Sequence, residues 1–328
     1  MMFTKKPALI AFTLAALLAV TIPASEGAEV GKSPWGPDDE RGRLNLMSEQ
    51  SQAAVLSRIA GGKVYDLAVE YYMGMPGWFP AGDPRYTFWM THTPNGTIND
   101  DPLQVGKAAN EHVSYSGSAV SMYAHTGTHI DALNHFGLNG KIFNGFDART
   151  HLGDRGWRKT GAETIPPIVA RGVMIDVAGA QQTTTLASGF RIGRKEIEDA
   201  LNRQNTTLQR GDVVLLRTGK MAQYADTEKY LTHPPGLSMD GARYLVEQGA
   251  MIIGGDNLSL EAFPSDVEGN YIPVHTFLLA QHGIPIMEVV NLESLATDKV
   301  YQFAFIGASL KLRGADAAPM RPIAIPIK

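Results

Sequence analysis

The chain of 328 residues contains no cysteine. That absence excludes disulfide frameworks, thiolate zinc fingers, iron–sulfur clusters and cysteine nucleophiles together. Any metal must therefore be held by His, Asp and Glu. Charge of one sign is also missing: 29 Lys and Arg stand against 33 Asp and Glu, for a formal net charge of -4. A nucleic-acid-binding domain usually carries a strong basic excess. No Gly-x-Ser-x-Gly elbow of a serine hydrolase occurs. Gly31-Lys32-Ser33 lacks the glycine five places earlier that a phosphate loop needs, and no Gly-x-Gly-x-x-Gly is present. Repeats and low-complexity linkers are absent as well.

Long apolar runs are scarce. The longest, Ala8–Val20, is broken only by Thr13 and is short for a membrane span. It follows Lys5 and Lys6 and precedes Pro23, Ala24 and Ala28, the order of a secretory signal. The expectation is a cleaved signal over 1–28, a mature domain over 29–328 without a membrane span, and a periplasmic or secreted location.

The remainder reads as one mixed α/β domain. Caps and stops predict helices at Ser48–Ala60, Arg194–Gln204, Ser238–Gln248 and His275–His282. Short β-branched runs predict strands at Val64–Val69, Val173–Val177, Asp212–Arg217, Met251–Ile253, Ile284–Glu288, Val300–Ile306 and Pro322–Ile327. Gly74–Glu111, rich in Pro, Gly, Asn, Asp and Thr, reads as long loops with little regular structure. Strands and helices do not alternate cleanly, which argues against a regular doubly wound sheet.

What is present in abundance is histidine in one place. His125-Thr126-Gly127-Thr128-His129-Ile130-Asp131-Ala132-Leu133-Asn134-His135 holds three of the nine histidines. Imidazole and carboxylate are the common ligands for Zn²⁺ or Mn²⁺ once thiolate is excluded. In an extended stretch His129 and Asp131 share a side, and Gly127 permits a turn that folds His125 back onto them. In a helix, His125 and His129 would lie one turn apart. His135 falls close to such a centre without having to ligate, which suits a general base or acid. Far along the chain, a helix opening at His275 and a strand closing at Glu288 bring those two residues together if they run antiparallel.

The His125-x-Gly127-Thr128-His129-x-Asp131 pattern with His135 resembles the signature of the cyclase, or bacterial kynurenine formamidase, superfamily, which includes isatin hydrolases. Weaker likenesses follow in family order. They are Trp35–Glu40, Val64–Leu67, Gly211–Gly219, Pro235–Ser238, His275 with Leu278 and Leu279 leading to Glu288, and Pro319–Ala324. The resemblance implies a metal-dependent amidohydrolase of mixed α/β architecture, with a β-barrel-like core, flanking helices and a homodimeric or homotetrameric assembly. It implies one or two Zn or Mn ions, with His125, His129 and Asp131 as one ligand set. Asp131 would bridge to a second ion on His275 and Glu288, and His135 would be the catalytic residue. Trp78 and Phe79 would contact a small, aromatic or cyclic substrate whose C–N bond is cleaved. A lactone or ester hydrolase, or a solute- or metal-binding protein without catalysis, are the alternatives. Leu133 stands where formamidase-type members often have Pro, as in other branches.

Overall fold

The computed structural model describes residues 29–328, so the signal expected over 1–28 lies outside the described residues. Nine strands form one sheet: β1 (Tyr65–Asp66), β2 (His129–Asp131), β3 (Ile168–Asp176), β4 (Val213–Arg217), β5 (Ile252–Gly255), β6 (Ile286–Glu288), β7 (Gln302–Gly307), β8 (Ala317–Pro319) and β9 (Ile323–Pro326). Their spatial order is β1-β9-β7-β3-β4-β5-β6-β2-β8. The strands from β3 to β6 run parallel and the remaining neighbours antiparallel. This mixture is why no clean strand–helix alternation is visible in the sequence.

The residues of β4 show how the sheet is covered. Val213 and Leu215 enter one apolar cluster, and Val214 and Leu216 enter another on the opposite face. A strand buried on both faces loses the alternation of polar and apolar residues and reads as a continuous apolar run. The first cluster draws a side chain from every one of the nine strands, from Tyr65 of β1 to Ala318 of β8. The two edges of a flat sheet could not meet in one cluster, so the sheet curls around its own side chains as a barrel-like core. The second cluster lies under α2 (Arg194–Arg203) and α3 (Met239–Glu247), with α1 (Glu49–Leu56) elsewhere in the molecule. Ile197, Ala200 and Leu201 of α2 and Ala242 and Leu245 of α3 point inward at helical spacing. Fully burying such a Leu or Ile contributes roughly 1.5–3 kcal/mol.

The N-cap expectations hold: Ser48 and Ser238 accept from Ser51 and Gly241 backbone N–H at 3.1 and 3.3 Å. Other boundaries shift for physical reasons. α1 stops at Leu56 because the chain then pairs with the last strand, Ile59 opposite Ile327. β3 begins at Ile168, five residues early, since Arg171 within it is neutralised by Asp212 at 2.7 Å. The helix expected at His275 starts at Pro273, as Pro273–His275, and widens into Thr276–Gln281. Gly74–Glu111 is a correction. It contains strand Thr87–His92, which pairs with Gly117–Ser121, and short helices Pro94–Asp100 and Lys107–His112. That hairpin is exposed on both faces, so no burial period marks it in the sequence. No helix among the described residues is long and apolar enough to cross a membrane.

The N-terminal segment is locked onto the helical face. Arg43 donates to the Val246 and Ala250 carbonyls at 3.0 Å each, satisfying the C-terminal end of α3, and its backbone N–H donates to Gly283 at 2.7 Å. Beside it, burial first and the Arg43 charge second pull the His282 imidazole down to about 4 from 6.5. The fold thus keeps His282 neutral. Its contribution is complete above pH 6.5 and is lost as pH falls through 4. We expect His282→Gln to retain more of its pH 7 urea midpoint at pH 5 than wild type does. Parallel pH profiles of the two proteins would contradict this assignment.

Candidate metal centre

The histidine-rich stretch folds as a turn followed by a strand, not as a helix. Alternation along β2 sends Ile130 into the barrel-like core and His129 and Asp131 to the helix-covered face. Gly127 has φ +61°, and a Cβ there would lie 2.8 Å from the Tyr71 ring. The turn it makes brings His125 Nδ1 to 2.8 Å from Asp131 Oδ1. Thr128 holds the corner: its hydroxyl donates to the Val289 carbonyl at 2.6 Å and accepts from the Val69 N–H at 3.0 Å. No helix begins near Asp131. A tight turn, with the His135 N–H donating to the Ala132 carbonyl at 3.0 Å, places His135 so that its ring lies 4.0 Å from that of His125.

The second pair arrives by strand register. In the antiparallel β6–β2 ladder Glu288 stands opposite His129, so the two share a face. Glu288 Oε2 is 3.4 Å from His129 Nε2. The helical segment that begins at Pro273 packs on that face. His275 Nε2 lies 3.2 Å from Glu288 Oε1 and 3.9 Å from Asp131 Oδ2. The structure therefore brings His125, His129, Asp131, His275 and Glu288 together, with Asp131 facing both halves.

Two acidic residues complete the surroundings and were not singled out from the sequence. Asp316 precedes β8, and its Oδ2 is 3.3 Å from His125 Nε2 and 3.4 Å from His135 Nδ1. Glu261 Oε1 is 2.6 Å from His275 Nδ1. Neither sits in a motif. The available signal for Glu261 was its place just beyond the carboxyl end of a parallel strand, where α/β sheets gather ligand-binding groups. Trp78 stacks on Phe263 at 6.2 Å, and Arg85 covers Phe79 at 4.4 Å. Neither aromatic ring pairs with a histidine of the cluster. Their loop touches the site's surroundings at its ends, where the Tyr71 hydroxyl donates to the Thr128 carbonyl at 2.9 Å and the Tyr123 N–H to the Pro84 carbonyl at 3.2 Å.

Charge in the cluster is held by proximity. Burial opposes ionisation of Asp131, but the charge on the facing His125 ring holds its carboxyl well below the usual range. Burial likewise opposes charge on His129 and His275, yet Asp131 and Glu288 around the one and Glu261 and Glu288 around the other push each up to about 10. His135 goes the other way: burial, then the neighbouring His125, pull it down and keep it neutral.

The donor set fits a divalent cation. His129 Nε2 and both Asp131 oxygens are buried without a hydrogen-bond partner, since the nearby ring nitrogens are close but poorly aligned to donate. Such orphaned polar atoms are costly unless something satisfies them. Two triads have ligand atoms within 4.8 Å of one another around Asp131: His125, His129 and Asp131, and Asp131, His275 and Glu288. His135 joins a third grouping, with His125 and Asp316, and belongs to neither triad around Asp131.

Known proteins share this fold. The family model described as "Putative cyclase" matches residues 65–262. A kynurenine formamidase from Bacillus cereus is 30% identical over 227 residues, 68% of this chain and 87% of its own. Cyclase-like protein 3 from Oryza sativa subsp. japonica is 25% identical over 81% of this chain and 80% of its own. Among solved structures, one described as a novel cyclase superposes with a TM-score of 0.80 at 26% identity, covering 90% of this chain and 99% of its own. Isatin hydrolase A from Ralstonia solanacearum shares the fold, with a TM-score of 0.61 at 22% identity over 85% of this chain and 97% of its own.

The turn at Gly127 generates a test. Gly127→Ala puts a Cβ in a left-handed conformation, at a cost of about 1–2 kcal/mol, and into the Tyr71 ring. A lowered urea midpoint and weakened Zn²⁺ binding are expected. A midpoint equal to wild type would show that the turn is not constrained as described.

Proposed function

The chain belongs to the cyclase family, and from that premise we propose that it is a metal-dependent hydrolase that cleaves the C–N bond of a small aromatic or cyclic amide. One observation carries the reading. Asp131 is fully buried with both oxygens unpartnered between two histidine-bearing triads, and His135 stands beside them outside both.

Ligand roles follow from the triads. His125, His129 and Asp131 would hold one ion, and Asp131, His275 and Glu288 a second. A divalent ion there would supply Lewis acidity, making water a stronger acid and polarising a carbonyl. The chain's own groups supply the rest. His135 is neutral, as a proton acceptor must be, and takes the proton of the attacking water. It then delivers that proton to the leaving nitrogen. Asp316 faces its Nδ1 at 3.4 Å, which leaves Nε2 as the nitrogen that exchanges the proton. Trp78, half exposed against Phe263, offers an apolar ring face on the loop whose ends touch the site's surroundings, with Phe79 beside it. The order of residues 1–28 supports a periplasmic or secreted setting for this activity. Recovery of the full-length chain in the cytoplasmic fraction would overturn that placement.

The deciding experiment is metal analysis of the purified chain, followed by hydrolysis assays on N-formylkynurenine, isatin and a small lactone panel, with and without chelator. Chelator-sensitive turnover is expected. Protein that binds no divalent metal would end the reading. His135→Ala should keep its metal content while turnover falls about 10²–10⁴-fold. Loss of metal in that variant would reassign His135 as a ligand.

A further inference from the structure

Glu261 belongs to neither triad around Asp131, yet it is 2% exposed and in contact with the site. Its position is set by the start of a helix. Pro273 has no N–H to give, so the first unsatisfied donors are those of Val274 and His275. Both go to Glu261: the Val274 N–H to Oε2 at 3.2 Å and the His275 N–H to Oε1 at 3.0 Å. The same Oε1 faces His275 Nδ1 at 2.6 Å. The backbone thus fixes the carboxylate, and the carboxylate fixes the imidazole. With Nδ1 committed to Glu261, Nε2 is the nitrogen turned towards Glu288 and Asp131.

His129 is oriented by the same logic with a different acceptor. Its Nδ1 faces the Gly127 carbonyl at 2.7 Å, leaving Nε2 towards Asp131 and Glu288. His129 therefore relies on a backbone carbonyl, which no substitution removes. His275 relies on a side chain. A carboxylate behind a ligating imidazole fixes its tautomer and raises its basicity, and removing such a partner costs about 10–100-fold in metal affinity.

Resting on the metal-centre reading above, we infer that Glu261 is a positioning residue that controls the Asp131–His275–Glu288 site separately from the His125–His129–Asp131 site. By orienting His275 it sets how tightly the second ion is held.

The test titrates Zn²⁺ and Mn²⁺ into metal-free wild type, Glu261→Ala, Glu261→Gln and His275→Ala, in competition with a chromophoric chelator. Urea midpoints of the metal-free proteins are measured alongside. Two ions are expected in wild type and one in His275→Ala. Glu261→Ala should bind its second ion about 10–100-fold more weakly with the first unaltered. Glu261→Gln, which keeps an oxygen for the helix N–H groups, should fall between. If Glu261→Ala and Glu261→Gln bind both ions as wild type does, while His275→Ala loses one, the positioning role is overturned and the metal centre stands. Equal weakening of both ions, tracking a lowered metal-free midpoint, reduces Glu261 to a helix cap and also overturns it. Metal binding unchanged in His275→Ala overturns the two-ion reading and this inference with it.

Discussion

A carboxylate with no exposure to water and no hydrogen-bond donor is expensive to bury, and Asp131 is one. Burying an isolated charge costs many kcal/mol unless something compensates it. The surrounding structure supplies that compensation. One strand, a helix start and two tight turns deliver imidazoles from 129, 275, 125 and 135 around it. Without metal the balance is kept by protons on the surrounding histidines: His125 faces Asp131 and is raised by it, and His129 is pushed up to about 10. A divalent ion would replace those protons, so occupancy by metal and release of protons are two views of one exchange.

That compensation depends on strand register more than on any single contact. β2 is three residues long and lies between β6 and β8, so Glu288 and Pro319 both stand opposite His129, and Ile286 and Ala317 opposite Asp131. A slip of one residue would send His129 and Asp131 into the apolar core and Ile130 out of it. Ile130, fully buried among side chains from every strand, therefore anchors the site from the opposite face. Packing of the barrel-like core and placement of the ligands are one constraint expressed on two sides of a strand.

The local parts of this arrangement were legible in the sequence, and the long-range parts were not. Ser48 and Ser238 announced their helices because an N-cap needs only its own next three residues. Gly127 announced a turn for a similarly local reason. Whether His125–His135 ran as strand or helix could not be read, since three residues of strand between two neighbours have no period of their own. Asp316 and Glu261 stayed hidden because each earns its place through a partner more than a dozen residues away, across a ladder or at a helix start. The exposed hairpin within Gly74–Glu111 escaped because alternation in burial, the usual strand signal, is absent there. Trp78 and Phe79 were read from their loop alone, and the structure places them against Phe263 and Arg85.

The edge strand β8 has a consequence in time as well as in space. Its residues 317–319 seal β2 from the outside, and Thr128 is tied to Val289 across 161 positions of chain. A ribosome that has released only the first half of the polypeptide has released His125, His129 and Asp131 with none of their later neighbours. The centre therefore cannot be complete until nearly the whole chain is available. An ion bound there would be drawn from the metals of whichever compartment the complete chain first folds in.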